Sequence, residues 1–513
     1  MYIGKENFFN LEDNIPEKNV CIHIEKNVNN SNNKIDAKKE YPLVILTENP
    51  SDKFIPEVAF TRRAFLISDN TIEVPLITTK SFAHNNNNLF LIEGNVGGNI
   101  KCQWGRKCPE YYYHGCIFTG YVATFKLPPT YMFSSDNLLL NTSKFIHLSS
   151  KTSNQIYSVP LYNSTSILSQ NPNFVYKHFL AVFVQPIYYM SDFHVMIQFF
   201  EYWITQGATK VYIGRTSYTK DIEKIIKWYN DNKWIEIEFI EWPILPNIYR
   251  QIGAQYNKYN QQFNPNLFTF QYEAILSIYD AMYYIRSLRE SKYVAVFDWD
   301  EIIVLKDNQT RTVTEFLKNQ EKNSYIAWSF ESRRVTLKKN YNVDKLEDVD
   351  FLYFENAKID TKPFKRPAYQ KNIYRPEFIN RFHVHLIDKK LPSDKINYVI
   401  NKVAEIYHLR RMPDIEKKFN QSYTNILKEK GQILTENFKS KLQQDPSITE
   451  QKTWNNYFND ITRNLENCRQ NSFRESFSHK YGLCVSVEAC SNYLNLTNKL
   501  DWITSKEKWI IIN

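Results

Sequence analysis

Apolar positions along the chain follow two rhythms, and the change between them falls at His178. Before it, short β-like runs such as Val44–Thr47, Thr71–Ile77, Leu89–Ile92 and Tyr121–Phe125 are separated by turn-forming clusters. That spacing predicts an antiparallel β-rich domain over residues 41–174. After it, strand and helix patterns alternate. HFLAVFVQPIY predicts a buried strand interrupted at Pro186, and the next segment places Phe193, Met196, Ile197, Phe200 and Trp203 on one helical face. Ser191 or Asp192 suits the start of that helix, Gly207 its end. TKVYIG predicts a second strand; Ile222, Ile225, Ile226 and Tyr229 form a second helical stripe; WIEIEFIEW predicts a third strand. A longer helix, striped at Ile275, Ile278, Met282, Ile285 and Leu288, then leads into the short apolar strand KYVAVF. Short links between alternating strands and helices predict a parallel α/β sheet. Ligands of such sheets sit beyond the carboxyl ends of the strands, which is where chemistry is to be sought.

The flanks read differently. Residues 1–40 are polar and rich in Asn and Lys, the composition of a flexible leader, while residues 419–513 are polar with a mostly helical pattern. A length of 513 residues suggests about three domains. With 43% hydrophobic and 23% charged residues, disorder of the whole chain is excluded. The net charge of +9 favours polyanions only mildly over this length, and the basic residues are dispersed, so nucleic-acid binding is not expected. No stretch approaches 18 consecutive apolar residues, and MYIGKENFFN lacks the features of a signal peptide, so the chain as written is expected to be soluble and unprocessed.

Cys102, Cys108 and Cys116 cluster early, Cys468, Cys484 and Cys490 cluster late, and Cys21 stands apart. Each cluster holds an odd number, so full pairing of both requires at least one bridge between the flanks. That suits a secreted or luminal protein; reduced buried thiols are the alternative. The absence of any Cys-x-x-Cys pair argues against a zinc ribbon. Six Asn-x-Ser/Thr sequons decide nothing in so Asn-rich a chain.

Directly after KYVAVF comes Asp298-Trp299-Asp300-Glu301. In an extended segment residues i and i+2 point to one side, so Asp298 and Asp300 are expected to converge on one cation. Carboxylate oxygens suit Mg²⁺ or Mn²⁺, ions that bridge to a diphosphate. A solvated strand end or a helix cap is the competing explanation. Asp348-Val349-Asp350 has the same spacing in a charged stretch with no apolar strand before it, so position is what separates the two.

Histidines offer further ligands. His408, just before Arg410 and Arg411, could complete a metal site while the guanidiniums meet phosphate oxygens, although a lone histidine is more often structural. His383 and His385 share a face if extended, as metal ligands or as ordinary strand positions. Lys362, Lys365, Arg366, Lys371 and Arg375 form either a solvated basic face or a cleft that captures a nucleotide diphosphate. No Gly-rich phosphate loop occurs.

Taken together, the strand–helix–strand opening at HFLAVFVQPIYYMSDFHVMIQFFEYWITQGATKVYIG, the helix leading to DWDE, the element Lys371-x-Ile373-x-Arg375-Pro376 followed by His383 or His385, and His408-Leu409-Arg410 resemble glycosyltransferase family 92. The likeness covers roughly residues 175–415, with Leu409 where the family usually has Tyr. It implies a GT-A (Rossmann-like nucleotide-sugar-binding) α/β core over 175–418 between the β-rich domain and the helical extension. It implies inverting transfer of a sugar, typically galactose from UDP-galactose, onto a glycan or glycoprotein acceptor. Carried over by residue, Asp298, Asp300 and His408 would hold Mn²⁺ or Mg²⁺. Lys371, Arg375, Arg410 and Glu301 would bind the nucleotide sugar. Family members are commonly anchored in the Golgi membrane facing its lumen; this chain shows no such anchor in its sequence.

The chemistry asks for a base to take the proton of the attacking acceptor hydroxyl. Glu331, just past an apolar strand, is the first candidate and Glu377 the second; Trp328 and Phe330 suit either core packing or stacking on a sugar. A catalytically inactive carbohydrate-binding or scaffolding module with the same fold is the main rival. A β-barrel oxygenase using His383 and His385 conflicts with the alternation of helices and strands through residues 178–304.

Overall fold

The computed structural model describes residues 57–451, with 104–115, 129–143, 250–261 and 411–420 the longest stretches left out, then scattered residues and 501–513. The leader at 1–40, the strand expected at Val44–Thr47, Lys365 and Arg366 lie outside the described residues.

The alternating rhythm becomes the core. Strands β1 (His178–Ile187), β2 (Lys210–Arg215) and β3 (Glu236–Glu241) are joined by helices α1 (Phe193–Thr205) and α2 (Lys220–Asp231), and α3 (Ala274–Leu288) leads into β4 (Ser291–Val296). After β5 (Glu301–Leu305) come β6 (Tyr325–Phe330), β7 (Ser332–Thr336), β8 (Lys371–Tyr374), β9 (Lys395–Val399) and β10 (Ala404–Arg410). The central sheet has the order β3-β2-β1-β4-β8-β6-β9. β1, β2, β3 and β4 run parallel, whereas β8 is antiparallel to both β4 and β6. The order 3-2-1-4 reverses direction between β1 and β4, which creates a crevice beyond their carboxyl ends.

The helical stripes do what their spacing predicts. Phe193, Met196, Ile197, Phe200 and Trp203 of α1 and Ile222, Ile225, Ile226 and Tyr229 of α2 are all buried on one face of the sheet. Asp192, rather than Ser191, caps α1 by accepting from Val195 N at 3.1 Å. Gly207 follows with φ +84, where an added Cβ would meet the Thr314 side chain at 2.6 Å. On the opposite face α3 buries Ile275, Ile278, Met282 and Ile285 together with Phe60, Phe65, Phe118 and Val122 of the N-terminal sheet. The β-rich domain is thereby clamped onto the core through α3.

Two expectations change. The long helix, whose pattern QYEAILSIYDAMYYIRSLRE runs from Gln271, begins instead as a left-handed turn, with φ 45, 51 and 53 at Gln271, Tyr272 and Glu273, and α3 starts only at Ala274. A distant contact outweighs local propensity there: buried Glu273 accepts from Gln103 Nε2 at 2.7 Å and from Gly120 N at 2.8 Å. At the C-terminus, helix α4 (Ile426–Gln444) forms as its pattern predicts, but the end of the chain is extended. Trp502–Thr504 pairs with Ser217–Thr219, and Ile510–Ile512 pairs with Ala59–Thr61 as part of the N-terminal ten-stranded sheet. These three-residue strands are too short for their periodicity to be seen.

Cys116 and Cys484 form a disulfide across 368 residues of sequence, and Cys102 and Cys468 each take part in a disulfide of their own. Of the two cysteine readings, the structure has the oxidised one, including a bridge between the flanks.

Candidate active site

Asp298 leaves the carboxyl end of β4 directly at the crevice. The segment is not extended, as the sequence suggested, but turned: Glu301 N donates to Asp298 O at 3.2 Å, and β5 begins at Glu301. The sheet changes direction here because β5 belongs to a second sheet, β5-β10-β7, rather than to the central one. Trp299 anchors the turn against Phe199, with ring centroids 4.6 Å apart. Asp298 and Asp300 therefore meet different partners instead of lining one pleated face.

Asp298 is held from both sides. Gln185, near the end of β1, donates its amide Nε2 to Asp298 Oδ1, while Lys371 Nζ, at the start of β8, lies 2.8 Å from Asp298 Oδ2. The same ammonium is 3.2 Å from Glu301 Oε2, and that oxygen accepts from Asp298 N at 3.0 Å. Burial works against the charged form of Asp298, but the Lys371 ammonium prevails and holds the carboxyl well below the usual range. Burial likewise works against charge on Lys371, and the Asp298 and Glu301 carboxylates overcome it, pushing its pKa up to about 12. Lys371 thus offsets one charge of the acid cluster from within.

Asp300 meets β10. His408 pairs with Glu301 in the antiparallel register of β5 and β10, its Nε2 3.2 Å from Asp300 Oδ2 and its Nδ1 3.7 Å from Glu301 Oε1. His408 Nε2 is buried and makes no hydrogen bond. Two ligand atoms on adjacent corners of an octahedral ion at 2.0–2.1 Å are about 3 Å apart. An oxygen and a nitrogen at 3.2 Å fit that geometry, and mixed carboxylate–imidazole donors suit Mn²⁺. Formally, three carboxylates and one ammonium leave two negative charges, the complement of a divalent ion.

The remaining candidates separate by position. Glu331 is half-buried one residue past Phe330, which pairs with Lys371, and its carbonyl accepts from Ile406 N at 2.8 Å; it belongs to the same end of the sheet. The backbone of Arg410 ends β10 two residues after His408, opposite Thr336. Arg375 is not brought to the cluster. It follows Tyr374 at the far end of β8, beside the start of β4, about 13 Å along the strand from Lys371, with its guanidinium over Phe378. Glu377 is buried beside it, its Oε2 accepting from Ile167 N at 3.0 Å, which is a structural role. Trp328 and Phe330 are fully buried core residues against Tyr293 and Phe316. Lys362 is exposed. Asp350 caps its own turn by accepting from Leu352 N at 3.0 Å, as expected of an Asp-x-Asp without a strand before it.

His383 is buried, and its carbonyl accepts from the Tyr374 hydroxyl at 2.9 Å. His385 lies above the start of β8, with Nδ1 2.6 Å from Gln370 O. Burial, with the Lys371 charge second, holds its pKa down at about 3, so the ring is neutral. Sequence reasoning missed Gln185; its signal is a lone amide within the apolar run HFLAVFVQPI.

Among the described residues, the group of three possible ligands whose atoms all lie within 4.8 Å of one another is not the acid cluster but His178, Glu236 and Glu290, at the amino ends of the strands. Lys210 Nζ already stands 2.7 Å from Glu236 Oε1 and 3.7 Å from Glu290 Oε2, so this group carries its own cation.

No curated protein matches the chain. A solved structure, "Crystal structure of S. aureus TarS 1-349 in complex with UDP-GlcNAc", is similar at 13% identity over 52% of this chain and 73% of that one. Its TM-score of 0.23 is too low for that likeness to carry an argument. The profile of glycosyltransferase family 92 matches residues 178–465, from the first strand of the parallel sheet through the acid cluster, His408 and α4. That span is more than half of the sequence, and the chain belongs to glycosyltransferase family 92.

Proposed function

We propose that this glycosyltransferase is metal-dependent and inverting, and that it moves a hexose, with galactose from UDP-galactose the first choice, onto a hydroxyl of a glycan. The observation that carries the reading is the pairing of Asp300 with His408 beside a Lys371-neutralised Asp298 at the switch point of the sheet. Asp300 and His408 would hold Mn²⁺ or Mg²⁺, with Asp298 beside them. Such an ion offsets the charge that builds on a departing nucleoside diphosphate.

The chain's own residues do the rest. Lys371 keeps Asp298 ionised and fixes Asp298 and Glu301 in place, so the acid cluster is set before the donor arrives. The acceptor oxygen attacks the anomeric carbon from the face opposite the diphosphate. The C–O bond to the diphosphate breaks with its electron pair leaving on UDP, and the hydroxyl proton passes to a carboxylate. Glu331 is our candidate for that carboxylate, because it is half-buried at the same end of the sheet. The disulfide between Cys116 and Cys484 supports folding in an oxidising compartment, and we place the protein in the secretory lumen.

Heat-flow titration with UDP tests the reading, first in Mn²⁺ and then in EDTA, on wild type and Asp300→Ala. Binding that needs both the ion and Asp300 supports it and directs a screen of UDP-sugars. Absence of binding by folded wild type in either condition points instead to a non-catalytic module of the same fold.

A further inference from the structure

Among the described residues, the buried atoms around the crevice end of β4 and β8 without a hydrogen-bond partner include, besides His408 Nε2 and the Trp299 indole nitrogen, three acceptors: Gln185 Oε1, Asn372 Oδ1 and His385 Nε2. Their neighbours dictate this orientation. Gln185 directs its amide nitrogen to Asp298, a carboxylate that only accepts, so its oxygen is the atom left over. Asn372 Nδ2 donates to the Tyr374 hydroxyl at 2.9 Å, and that hydroxyl spends its proton on the carbonyls of His383 and Leu386. His385 Nδ1 faces the Gln370 carbonyl, so Nδ1 carries the ring proton and Nε2 presents a bare lone pair.

The three residues come from neighbouring positions. Gln185 touches Asp298 at the end of β4, Asn372 pairs with Val296 two residues earlier on that strand, and His385 is tied to Gln370, next to Lys371. A buried acceptor without a donor is costly, and native proteins seldom keep one unless something else satisfies it. Three acceptors with no donor among them would repel a phosphate and welcome a ligand rich in hydroxyls. The cationic and metal-ligating groups, Lys371 and the Asp300–His408 pair, belong to the neighbouring part of the cluster.

We propose that Gln185, Asn372 and His385 form an acceptor-only cradle that receives sugar hydroxyls of the nucleotide-sugar donor, those of its ribose or of its hexose. The proposal rests on the functional reading above, since it takes the donor to be a nucleotide sugar.

The test is calorimetric titration of the full chain in Mn²⁺ with UDP, UDP-galactose and inorganic pyrophosphate. Wild type is compared with His385→Phe and Asn372→Leu, two near-isosteric changes on separate elements, each checked for cooperative thermal unfolding. Loss of one hydrogen bond weakens binding by about ten-fold. If ribose hydroxyls fill the cradle, UDP and UDP-galactose both weaken and pyrophosphate, which has no hydroxyls of a sugar, does not. If the hexose fills it, only UDP-galactose weakens. Unchanged binding of all three probes in a folded variant overturns the cradle, as does an equal loss for pyrophosphate, and in both cases wild-type UDP binding leaves the functional reading standing. A wild type that binds none of the probes overturns that reading and the cradle with it.

Discussion

His408 stands directly across the β5–β10 ladder from Glu301, and this register brings its Nε2 to 3.2 Å from Asp300 Oδ2. The two atoms are spaced as neighbouring ligands of one ion, whereas Asp298 is already engaged by Lys371 and Gln185. Asp300→Asn and His408→Ala are expected to weaken Mn²⁺ binding by about ten-fold or more, and Asp298→Asn by clearly less. Electron paramagnetic resonance of free Mn²⁺ reads this directly. Equal loss in all three variants would show Asp298 to be a ligand of the same rank.

Lys371 is 2% exposed and serves two carboxylates. Lys371→Met leaves Asp298 and Glu301 buried without their counterion. Breaking a buried pair in this way costs about 3–5 kcal/mol. Denaturant unfolding is expected to show a loss on that scale, partly recovered by added Mn²⁺. A variant as stable as wild type would mean that the acid cluster is neutralised by other groups.

Glu331→Gln keeps the size of the side chain and removes the base. With Glu331 taking the acceptor proton, kcat is expected to fall by about 10²–10⁴ while UDP affinity stays within two-fold of wild type. Donor consumption and UDP titration on the same preparation separate the two effects. An unchanged kcat would assign the role to another carboxylate.

The bridge between Cys116 and Cys484 joins the β-rich domain to the C-terminal segment and closes a loop of 368 residues. Chain entropy alone assigns a link of that span about 6 kcal/mol, of which a disulfide typically delivers about 2–4 kcal/mol. Cys484→Ser is therefore expected to lower the unfolding midpoint by several degrees, and non-reducing peptide mapping should recover the 116–484 cross-link from wild type. Free thiols at both positions would remove the support for a luminal protein.

Glu73 lies under α3, hydrogen-bonded by the Tyr279 hydroxyl, and burial raises its pKa from 4.5 to about 7 despite Arg381 and Arg286. Folded protein thus holds a proton that unfolded chain releases near pH 4.5. The contribution is fully present below that pH and is lost as pH rises to about 7, on the order of 3 kcal/mol. Glu73→Gln should flatten the stability profile across this window relative to wild type. Parallel profiles for the two proteins would place the Glu73 pKa in the ordinary range.

The core strands and helices were legible because their signal is local. Ile222, Ile225, Ile226 and Tyr229 can only bury together on a helix, and KYVAVF can only be an inner strand. The metal candidates Asp298 and Asp300 were legible because they follow that strand. Their geometry was not: a turn held by Glu301 N to Asp298 O replaces the extended segment that spacing alone suggests. Arg375 shows the same limit. Its four-residue distance from Lys371 looks close in sequence, yet an extended strand carries it to the opposite end of the sheet.

From the sequence alone follow the alternation of strands and helices, the place of the acid cluster at a strand end, and the resemblance to a glycosyltransferase family. Each depends on residues within a few positions of one another, where backbone periodicity rules. Only the tertiary structure decided that Lys371 neutralises Asp298, that His408 serves Asp300, that Gln185 holds the cluster from β1, and that Cys116 meets Cys484. Those partners are 73, 108, 113 and 368 residues apart, and strand order and register, which no local pattern encodes, bring them together.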